Sequence, residues 1–482
     1  MQSKSVFPLP LVAWEHYMWK DDRPRYPMTF VIRLEVSGEL QREPFLAALR
    51  TALDRHPLLK SRIIRVGWRG WCWLPSEADA PLVDWTDADA DADTNSDADA
   101  RLTLPLGEFI DLTREVGLRV WVRTTIERAR LTFQFHHAAT DGLGAIQFLG
   151  DLLAAYGRAT VLPGEEVPEF GPLEISRLKR RGDQGPGRVE SWRQRFADLK
   201  LFVEEAWHLF ARQPKPLAVR TLSDAERNIE FPALLTRRLN RHEATRLREF
   251  ASKRGVSPND LYLREMFLTL HDWNRERSSW HPKHWLRIGM PVSMRTEQHD
   301  GLPAANVLSM FFVARQLGEQ IDVDELLKDL HQQTDRIVNC RLGWYLATGV
   351  NWSAKIPGAL SFSASERHCL ATVILANVGD IRRQMSAHFP RRRGKIVAGN
   401  IVLESFEGAA PVRPQTHAGV SLGTYAGELI VNLHPDAWHL SRTDADELLD
   451  RFVNRLRAVA GPSRAGQITP AQQLQLQAQQ SQ

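Results

Sequence analysis

The sequence predicts an α/β (α+β) fold built from two halves. Apolar runs with a period of two alternate along the chain with apolar runs of helical period, which predicts mixed sheets and helices. The 482-residue chain is longer than one hydrophobic core usually serves. A stretch rich in proline, glycine and charge interrupts the pattern at residues 159–188. We therefore expect the following division: an N-terminal half at 1–175, a linker and crossover helix at 176–222, a C-terminal half at 223–462 and a disordered glutamine-rich tail at 463–482.

The N-terminal half begins with a strand and a helix. A strand pattern runs from Met28 to Val36, and the helical pattern that follows Gly38 ends at Arg55-His56-Pro57. A second strand is predicted at residues 61–66. This half therefore begins as a strand, helix and strand unit.

Residues 131–149 are the most informative stretch. Their first part alternates apolar and polar side chains, which predicts a half-buried strand, and after Gly142 the apolar residues recur three or four apart, which predicts a helix. The loop between strand and helix carries His136, His137, Asp141 and Gly142. Such loops are where a rigid scaffold presents reactive groups.

The C-terminal half repeats the alternation of strands and helices. Strands are predicted at 234–239, 285–294, 306–313, 372–378, 396–406, 420–425 and 429–433. Helices are predicted from Glu243, after the capping residues Ser257 and Pro258, from Val323 to about Val338, and after the capping box Ser441-x-x-Asp444.

The motif His136-His137-x-x-x-Asp141-Gly142 resembles the HHxxxDG motif of a large acyltransferase superfamily. Its members include nonribosomal-peptide condensation domains, alcohol acyltransferases, plant BAHD acyltransferases, bacterial wax ester synthases and polyketide-associated acyltransferases. Further segments are similar to these proteins: Arg55–Leu59, Gly255–Leu261, Met290–Arg295, Ala376–Asp380 and Tyr425–Leu429. The Asp-Phe-Gly-Trp-Gly motif of the plant branch is absent from the sequence.

This resemblance implies a chloramphenicol-acetyltransferase-like fold, in which two similar halves form a V around a central channel. It also implies an acyltransferase that moves an acyl group from a coenzyme A or carrier-protein thioester to a small alcohol or amine. His137 would be the general base, a task that suits an imidazole near neutral pH, and no acyl-enzyme would form. The thioester would be a co-substrate, so no tightly bound cofactor is expected.

The other residues of the motif are expected to have supporting roles. His136 would pack and hydrogen-bond, and Gly142 would allow close approach of the substrate and offer its N–H to a developing oxyanion. Asp141 would cap the helix or pair with an arginine of the second half, for which Arg295 and Arg287 are the candidates.

Two further groups of residues are candidates for substrate binding. Three lie at predicted strands that would line the channel: Asn306, Asn377 and Ser421. Four form a basic run that could bind the phosphates of coenzyme A or an acidic carrier protein: Arg391, Arg392, Arg393 and Lys395. A solvated loop is the alternative for the basic run.

The sequence is also compatible with two other functions. The segment Gly419–Gly423 matches the nucleophile elbow of serine hydrolases around Ser421, but a hairpin pattern follows it instead of the helix that an elbow requires. A condensation-like binding protein without turnover is the second alternative. No metal site is predicted, since His281 and His284 stand alone on a loop and residues 87–100 lack the glycine and glutamate of a calcium loop.

Composition limits the partners and the compartment. The net charge of +4 is small and the basic residues are dispersed, so nucleic acid is not expected. Three scattered cysteines indicate a reducing setting, and the sequence shows neither a signal peptide nor a long apolar run, which together predict a cytoplasmic protein. The apolar stripe of the predicted helix at 192–210 permits peripheral contact with a membrane, or packing within the protein.

Overall fold

The computed structural model describes residues 6–75, 80–87, 109–183, 207, 211–227, 231–339, 349–351, 366 and 368–461. The helices among these residues are α1 (Ala13–Asp21), α2 (Arg42–Arg55), α3 (Gly142–Thr160), α4 (Arg241–Lys253), α5 (Pro258–Glu276), α6 (Val323–Asn339), α7 (Ile381–Gln384) and α8 (Arg442–Ala460). The strands are β1 (Leu9–Pro10), β2 (Thr29–Ser37), β3 (Ser61–Arg65), β4 (Trp71–Pro75), β5 (Leu82–Asp87), β6 (Leu118–Thr124), β7 (Arg128–His136), β8 (Leu235–Leu239), β9 (Trp285–Ser293), β10 (Leu308–Gln316), β11 (Val373–Asp380), β12 (Arg391–Arg392), β13 (Lys395–Ala398), β14 (Ile401–Ala409), β15 (Ala418–Tyr425) and β16 (Glu428–Pro435).

The first large sheet has seven strands in the order β12-β13-β14-β2-β7-β6-β5. Its pairs are antiparallel except β5 with β6. Helices α2 and α3 contact each other, and the edge of the Phe148 ring of α3 meets the Phe135 ring of β7 at 6.0 Å between centroids. The apolar side chains of β7 and α3 therefore belong to one core.

Strand β7 was predicted to be half buried, and this is wrong for its last part. Gln134 on the polar face is fully buried and donates a hydrogen bond to Thr29 at 3.0 Å. The cross-strand bond gives the amide nitrogen a partner, so the polar face can be covered as well as the apolar one.

The second large sheet has six strands in the order β10-β9-β11-β15-β16-β8 and forms a core with α4, α5 and α8. Strand β11 is parallel to β9 and β15, and the other pairs are antiparallel. The hairpin predicted after Ser421 is confirmed as β15 and β16. The single strand predicted at 396–406 is instead the hairpin of β13 and β14, because Gly399 adopts a positive φ of 59° and turns the chain.

One segment of the C-terminal half belongs to the first sheet. Strand β14 pairs with β2 along its length, and Glu407 of β14 is buried between Arg33 of β2, at 2.6 Å, and Arg238 of β8, at 2.9 Å. The boundaries at residues 175 and 223 stay a prediction. Strand β14 comes from the predicted C-terminal half but pairs with β2 of the predicted N-terminal half.

Several predicted features lie outside the described residues. These are most of the helix at 192–210, the acidic loop beyond Asp87 and the tail after 461. Among the residues that the structure does describe, no helix is both long and apolar enough to cross a bilayer.

Candidate active site

His136 ends β7 and is fully buried. Its Nδ1 accepts a hydrogen bond from the backbone N–H of Ala138 at 3.0 Å, so Nε2 carries the hydrogen and donates it to Asp22 at 3.0 Å. Both ring nitrogens are therefore engaged, and His136 fixes the turn after β7. No pattern in the sequence indicated Asp22, which lies 114 residues away.

His137 follows on the loop, and its side chain is only half buried. The backbone N–H donates to Met28 at 2.8 Å, and the ring lies against Phe30 with 5.0 Å between centroids. The ring also forms a hydrogen bond with the residue's own backbone carbonyl. Asn306 Nδ2 donates to that carbonyl at 2.7 Å and lies 3.4 Å from Nδ1.

The contacts of Nδ1 allow two tautomers of His137. A hydrogen on Nδ1 serves the bond to the carbonyl and leaves the lone pair on Nε2, whereas a hydrogen on Nε2 lets Nδ1 accept from Asn306 Nδ2. Nε2 has no hydrogen-bond partner among the described residues. Burial lowers the pKa of His137 to about 4, against opposing contributions from Asp141 and the carbonyl, so the ring is neutral at physiological pH.

Asp141 is the N-cap of α3 and is 2% exposed. Its Oδ1 accepts from the N–H of Gly144 at 2.8 Å, and its Oδ2 accepts from the N–H of Val307 at 2.8 Å. Arg295 binds it through two hydrogen bonds, of 2.7 and 2.9 Å. Burial alone would raise the pKa of the Asp141 carboxyl, but Arg295 and the backbone donors hold it below its ordinary value.

The arginine predicted to pair with Asp141 is thus Arg295. The alternative, Arg287, is wrong, because its guanidinium donates to the backbone carbonyls of Leu370 and Arg212. Since the carboxylate of Asp141 is directed to α3 and to Arg295, it does not orient His137 as a triad carboxylate would.

The segment between β9 and β10, residues 294–307, holds the loop from the other side. It provides Arg295, Asn306 and the N–H of Val307 to the loop. Its Ala304 N–H donates to His56 Nδ1 at 2.8 Å, while His56 Nε2 lies 3.0 Å from Asp151 of α3. His56 was predicted only as the end of a helix, and it proves to connect α2, α3 and this segment.

Two glycines at the start of α3 differ in the space around them. A Cβ added at Gly142 would meet no atom within 4 Å, so there is open space beside the loop. A Cβ added at Gly144 would lie 2.4 Å from Thr140 Oγ1 and 3.0 Å from the carbonyl oxygen of Ala305. Gly144 therefore allows α3 to approach residues 294–307, and the sequence motif did not indicate it.

Replacing these glycines with alanine should separate the two environments. Gly144→Ala should lower the free energy of unfolding by about 1–3 kcal/mol through overpacking. Gly142→Ala should leave it unchanged or raise it by roughly 0.4–1 kcal/mol, because alanine restricts the unfolded chain. Urea unfolding of both variants measures this difference, and equal losses would show that Gly142 is packed as tightly as Gly144.

The remaining predicted site residues are not in contact with His137. Asn377 is exposed and donates to Asn259 at 2.6 Å. Ser421 is buried, donates to the carbonyl of Gly408 and accepts from Asn432 at 3.3 Å. Of the three channel candidates, the structure brings Asn306 alone to His137.

The hydrolase elbow at Ser421 is not formed. Ser421 lies within β15, opposite Asn432 of β16, with no turn into a helix. His439 and Asp436 contact each other and His417, and neither binds Ser421. A serine nucleophile therefore lacks an activating base at this position.

The basic run forms the hairpin of β12 and β13. Three of its side chains are exposed: Arg391, Arg392 and Arg393. Lys395 instead pairs with Glu404. Two more arginines lie beside the turn, since Arg382 donates to the carbonyl of Gly394 at 3.2 Å and Arg241 lies 3.6 Å from a Cβ added at Gly394. Arg382 belongs to α7 and Arg241 to α4, so their proximity to the basic run was not predicted from the sequence.

Comparison with solved structures identifies the fold. The chain superposes on the first condensation domain of the calcium-dependent antibiotic synthetase with a TM-score of 0.66 and 16% identity, over 94% of this chain and 96% of that domain. The starter condensation domain of rhizomide synthetase, solved with C8-CoA and Leu-SNAC, gives a TM-score of 0.65 and 14% identity over 94% of each chain. The chain has the fold of a condensation domain.

Two proteins of Mycobacterium tuberculosis are also similar to the chain. Polyketide synthase associated protein 5 from Mycobacterium tuberculosis matches with a TM-score of 0.57 and 17% identity, over 94% of this chain and 99% of that protein. In sequence, the chain is 26% identical over 338 residues to the uncharacterized protein Rv2305 of Mycobacterium tuberculosis, which covers 66% of this chain and 69% of that protein. No protein-family model matches the sequence.

Proposed function

We propose that the protein is an acyltransferase that moves an acyl group from a coenzyme A or carrier-protein thioester to an alcohol or amine, with His137 as general base. The state of His137 carries this proposal. Its ring is partly exposed and neutral, and we assign the hydrogen to Nδ1, beside the backbone carbonyl that Asn306 also holds, so that Nε2 keeps its lone pair. A base needs this combination of access and protonation state.

The reaction follows from this geometry. Nε2 takes the proton of the acceptor hydroxyl or amine while the acceptor oxygen or nitrogen attacks the thioester carbonyl carbon. The resulting oxyanion would accept a hydrogen bond from the N–H of Gly142, at the start of α3, where a helix N-terminus favours negative charge. The carbon–sulfur bond then breaks, and the imidazolium returns its proton to the sulfur, which gives a free thiol and an ester or amide.

Asp141 and Arg295 would act as positioning residues in this reaction. Their ion pair joins the start of α3 to residues 294–307, which carry Asn306. The pair therefore sets the distance between the N–H groups of α3 and the imidazole of His137. We assign to His136 the corresponding role on the strand side of the loop, through its bond to Asp22.

A related fold supports the class of donor. The rhizomide synthetase starter domain was solved with C8-CoA and with Leu-SNAC. C8-CoA belongs to the coenzyme A class of donor that the proposal requires. We therefore propose an acyl thioester as the donor of this chain, with a free acceptor or an acceptor held on a carrier protein.

The pH dependence of kcat/KM should report the lowered pKa of His137. The base must be unprotonated, and its pKa lies at about 4 rather than the ordinary 6.5. The rate constant should therefore stay level from about pH 8 to about pH 5 and fall about tenfold per unit below about pH 4. An acid limb near the ordinary value of an imidazole would show that burial does not lower the pKa as described. Circular dichroism at each pH is the control for unfolding.

The arginines of the β12–β13 hairpin should bind the phosphates of the donor. Replacing Arg391, Arg392 and Arg393 together with alanine should raise the KM for acyl-coenzyme A about tenfold and leave kcat unchanged, because they would attract the donor without touching the reacting carbonyl. The matched control replaces Arg114, an exposed arginine of the N-terminal half. An unaltered KM in the triple variant would rule the donor site out.

Thiol release tests the function directly. A panel of acyl-coenzyme A donors of rising chain length is incubated with the protein, with and without pooled alcohols and amines. Release that depends on an acceptor supports transfer and identifies the chain length. Release without any acceptor would indicate a hydrolase. The absence of thiol release with every donor, including acyl groups on carrier proteins, would contradict transfer and favour a binding protein without turnover.

A further inference from the structure

Three side chains away from His137 converge on one point. His417 Nδ1 lies 2.9 Å and His439 Nδ1 lies 2.7 Å from the same oxygen, Oδ2 of Asp436. The three ligand-type atoms all lie within 4.8 Å of one another. The two imidazole rings lie 4.7 Å apart between centroids, with their planes tilted by 43°. Two imidazoles and a carboxylate are a ligand set that divalent zinc uses in proteins.

The backbone holds the three residues in this arrangement. His417 lies one residue before β15 and Asp436 one residue after β16, next to the end pair Ala418 and Pro435. The Asp436 N–H donates to the His417 carbonyl at 2.8 Å. His439 follows Asp436 by three residues on a turn, where its N–H donates to the Asp436 carbonyl at 3.0 Å. A strand pair and a tight turn thus fix the ligands before any ion binds.

Neighbouring groups orient the carboxylate. The second oxygen of Asp436, Oδ1, accepts from the Trp438 N–H at 3.1 Å, which directs Oδ2 toward the histidines. The Tyr26 hydroxyl, in the N-terminal half, lies 3.4 Å from Oδ2. Burial alone would raise the pKa of Asp436, but the hydrogen bonds from His417 and His439 lower it to about 2, so the carboxylate is charged at neutral pH.

The exposure and the spacing of the three residues are compatible with a bound metal ion. Asp436 and His417 are buried, whereas the His439 side chain is 34% exposed, so the cluster is open on one side only. In tetrahedral coordination at about 2.0–2.1 Å from the ion, the ligand atoms would lie roughly 3.3 Å apart. The two distances from Nδ1 to Oδ2 need to lengthen by only about half an ångström to reach that geometry.

We propose that His417, Asp436 and His439 form a binding site for a divalent zinc ion. The hydrogens now on the two Nδ1 atoms would move to Nε2, so that three neutral or anionic ligands bind the ion and water takes the fourth position on the exposed side. The proposal is independent of the acyl transfer at His137.

Zinc content and calorimetry test this site. The full chain is stripped with a chelator, and zinc chloride is titrated into it with the elemental content measured afterwards. The wild type should bind one zinc ion. His439→Gln, which removes the exposed ligand, and Asp436→Asn should each weaken binding at least tenfold. The control His281→Gln removes an exposed histidine that lies 5.4 Å, ring to ring, from His284 and should bind zinc as the wild type does.

The outcomes separate the alternatives. Circular dichroism checks that each variant is folded, and His439→Gln is expected to fold because the residue it replaces is partly exposed. A cobalt-substituted protein should show the visible spectrum of tetrahedral coordination. A wild type that binds no stoichiometric zinc would overturn the proposal. So would binding that survives His439→Gln but is lost in His281→Gln, because the ion would then bind at the loop histidines.

Discussion

Replacing His137 with alanine should lower kcat for acyl transfer by about 10²–10⁴-fold, the usual contribution of a general base. We expect this loss without unfolding, because the ring is partly exposed and none of the described side chains forms a hydrogen bond with its Nε2. The free energy of unfolding should change by no more than about 1 kcal/mol. Initial rates and urea unfolding on the same preparation give both numbers.

His136 is the matched control for this experiment. His136→Ala leaves Oδ2 of Asp22 without its partner on a carboxylate with 2% side-chain exposure, and should cost about 1–3 kcal/mol of stability. The adjacent histidines should therefore have opposite effects, on catalysis for His137 and on stability for His136. The assignment of the base would be wrong if His137→Ala retained full activity. It would also be wrong if the two variants had the same losses of activity and of stability.

Replacing Arg295 with alanine should destabilise the protein by about 3–5 kcal/mol, because it leaves a buried carboxylate without its charge partner. Asp141 is 2% exposed and accepts two hydrogen bonds from Arg295. Since the pKa of Asp141 is lowered on folding, the stabilisation is present above its ordinary pKa of about 4 and is lost as pH falls below that value.

The control is an ion pair at the surface. Arg177 pairs with Glu174 at 3.0 Å, and both side chains are more than a third exposed, at 34% and 59%. Arg177→Ala should cost roughly 0–1 kcal/mol. Urea unfolding at neutral pH compares the two variants. A loss for Arg295→Ala as small as that for Arg177→Ala would show that the pair does not join the two sides of the site.

Local patterns predicted the elements that carry the site. The change from period two to helical period placed His137 between β7 and α3, and the DG pair marked the start of α3. The resemblance to the superfamily predicted the partner of Asp141 as one of two arginines, and the structure selects Arg295. These successes depend on residues close in sequence or on a motif that fixes a distant partner.

Contacts between distant segments could not be predicted in this way. Asp22 meets His136 across 114 residues, and His56 meets Ala304 across 248. Neither contact leaves a periodicity or a spacing in the sequence, because each depends on how separate elements pack. The His417 cluster was missed for the same reason, since His417 lies 19 residues before Asp436 and meets it only through the pairing of β15 with β16.

The coupling of thiol release to product formation tests direct transfer at His137 most directly. Wild-type protein and an active acyl thioester are mixed with the acceptor, and the thiol, the acylated acceptor and the intact mass of the protein are measured together. We expect one acylated acceptor for each thiol released, no acyl adduct on the protein, and loss of both products in His137→Ala. A covalent acyl-enzyme, or thiol release without acylated acceptor that persists in His137→Ala, would contradict the account.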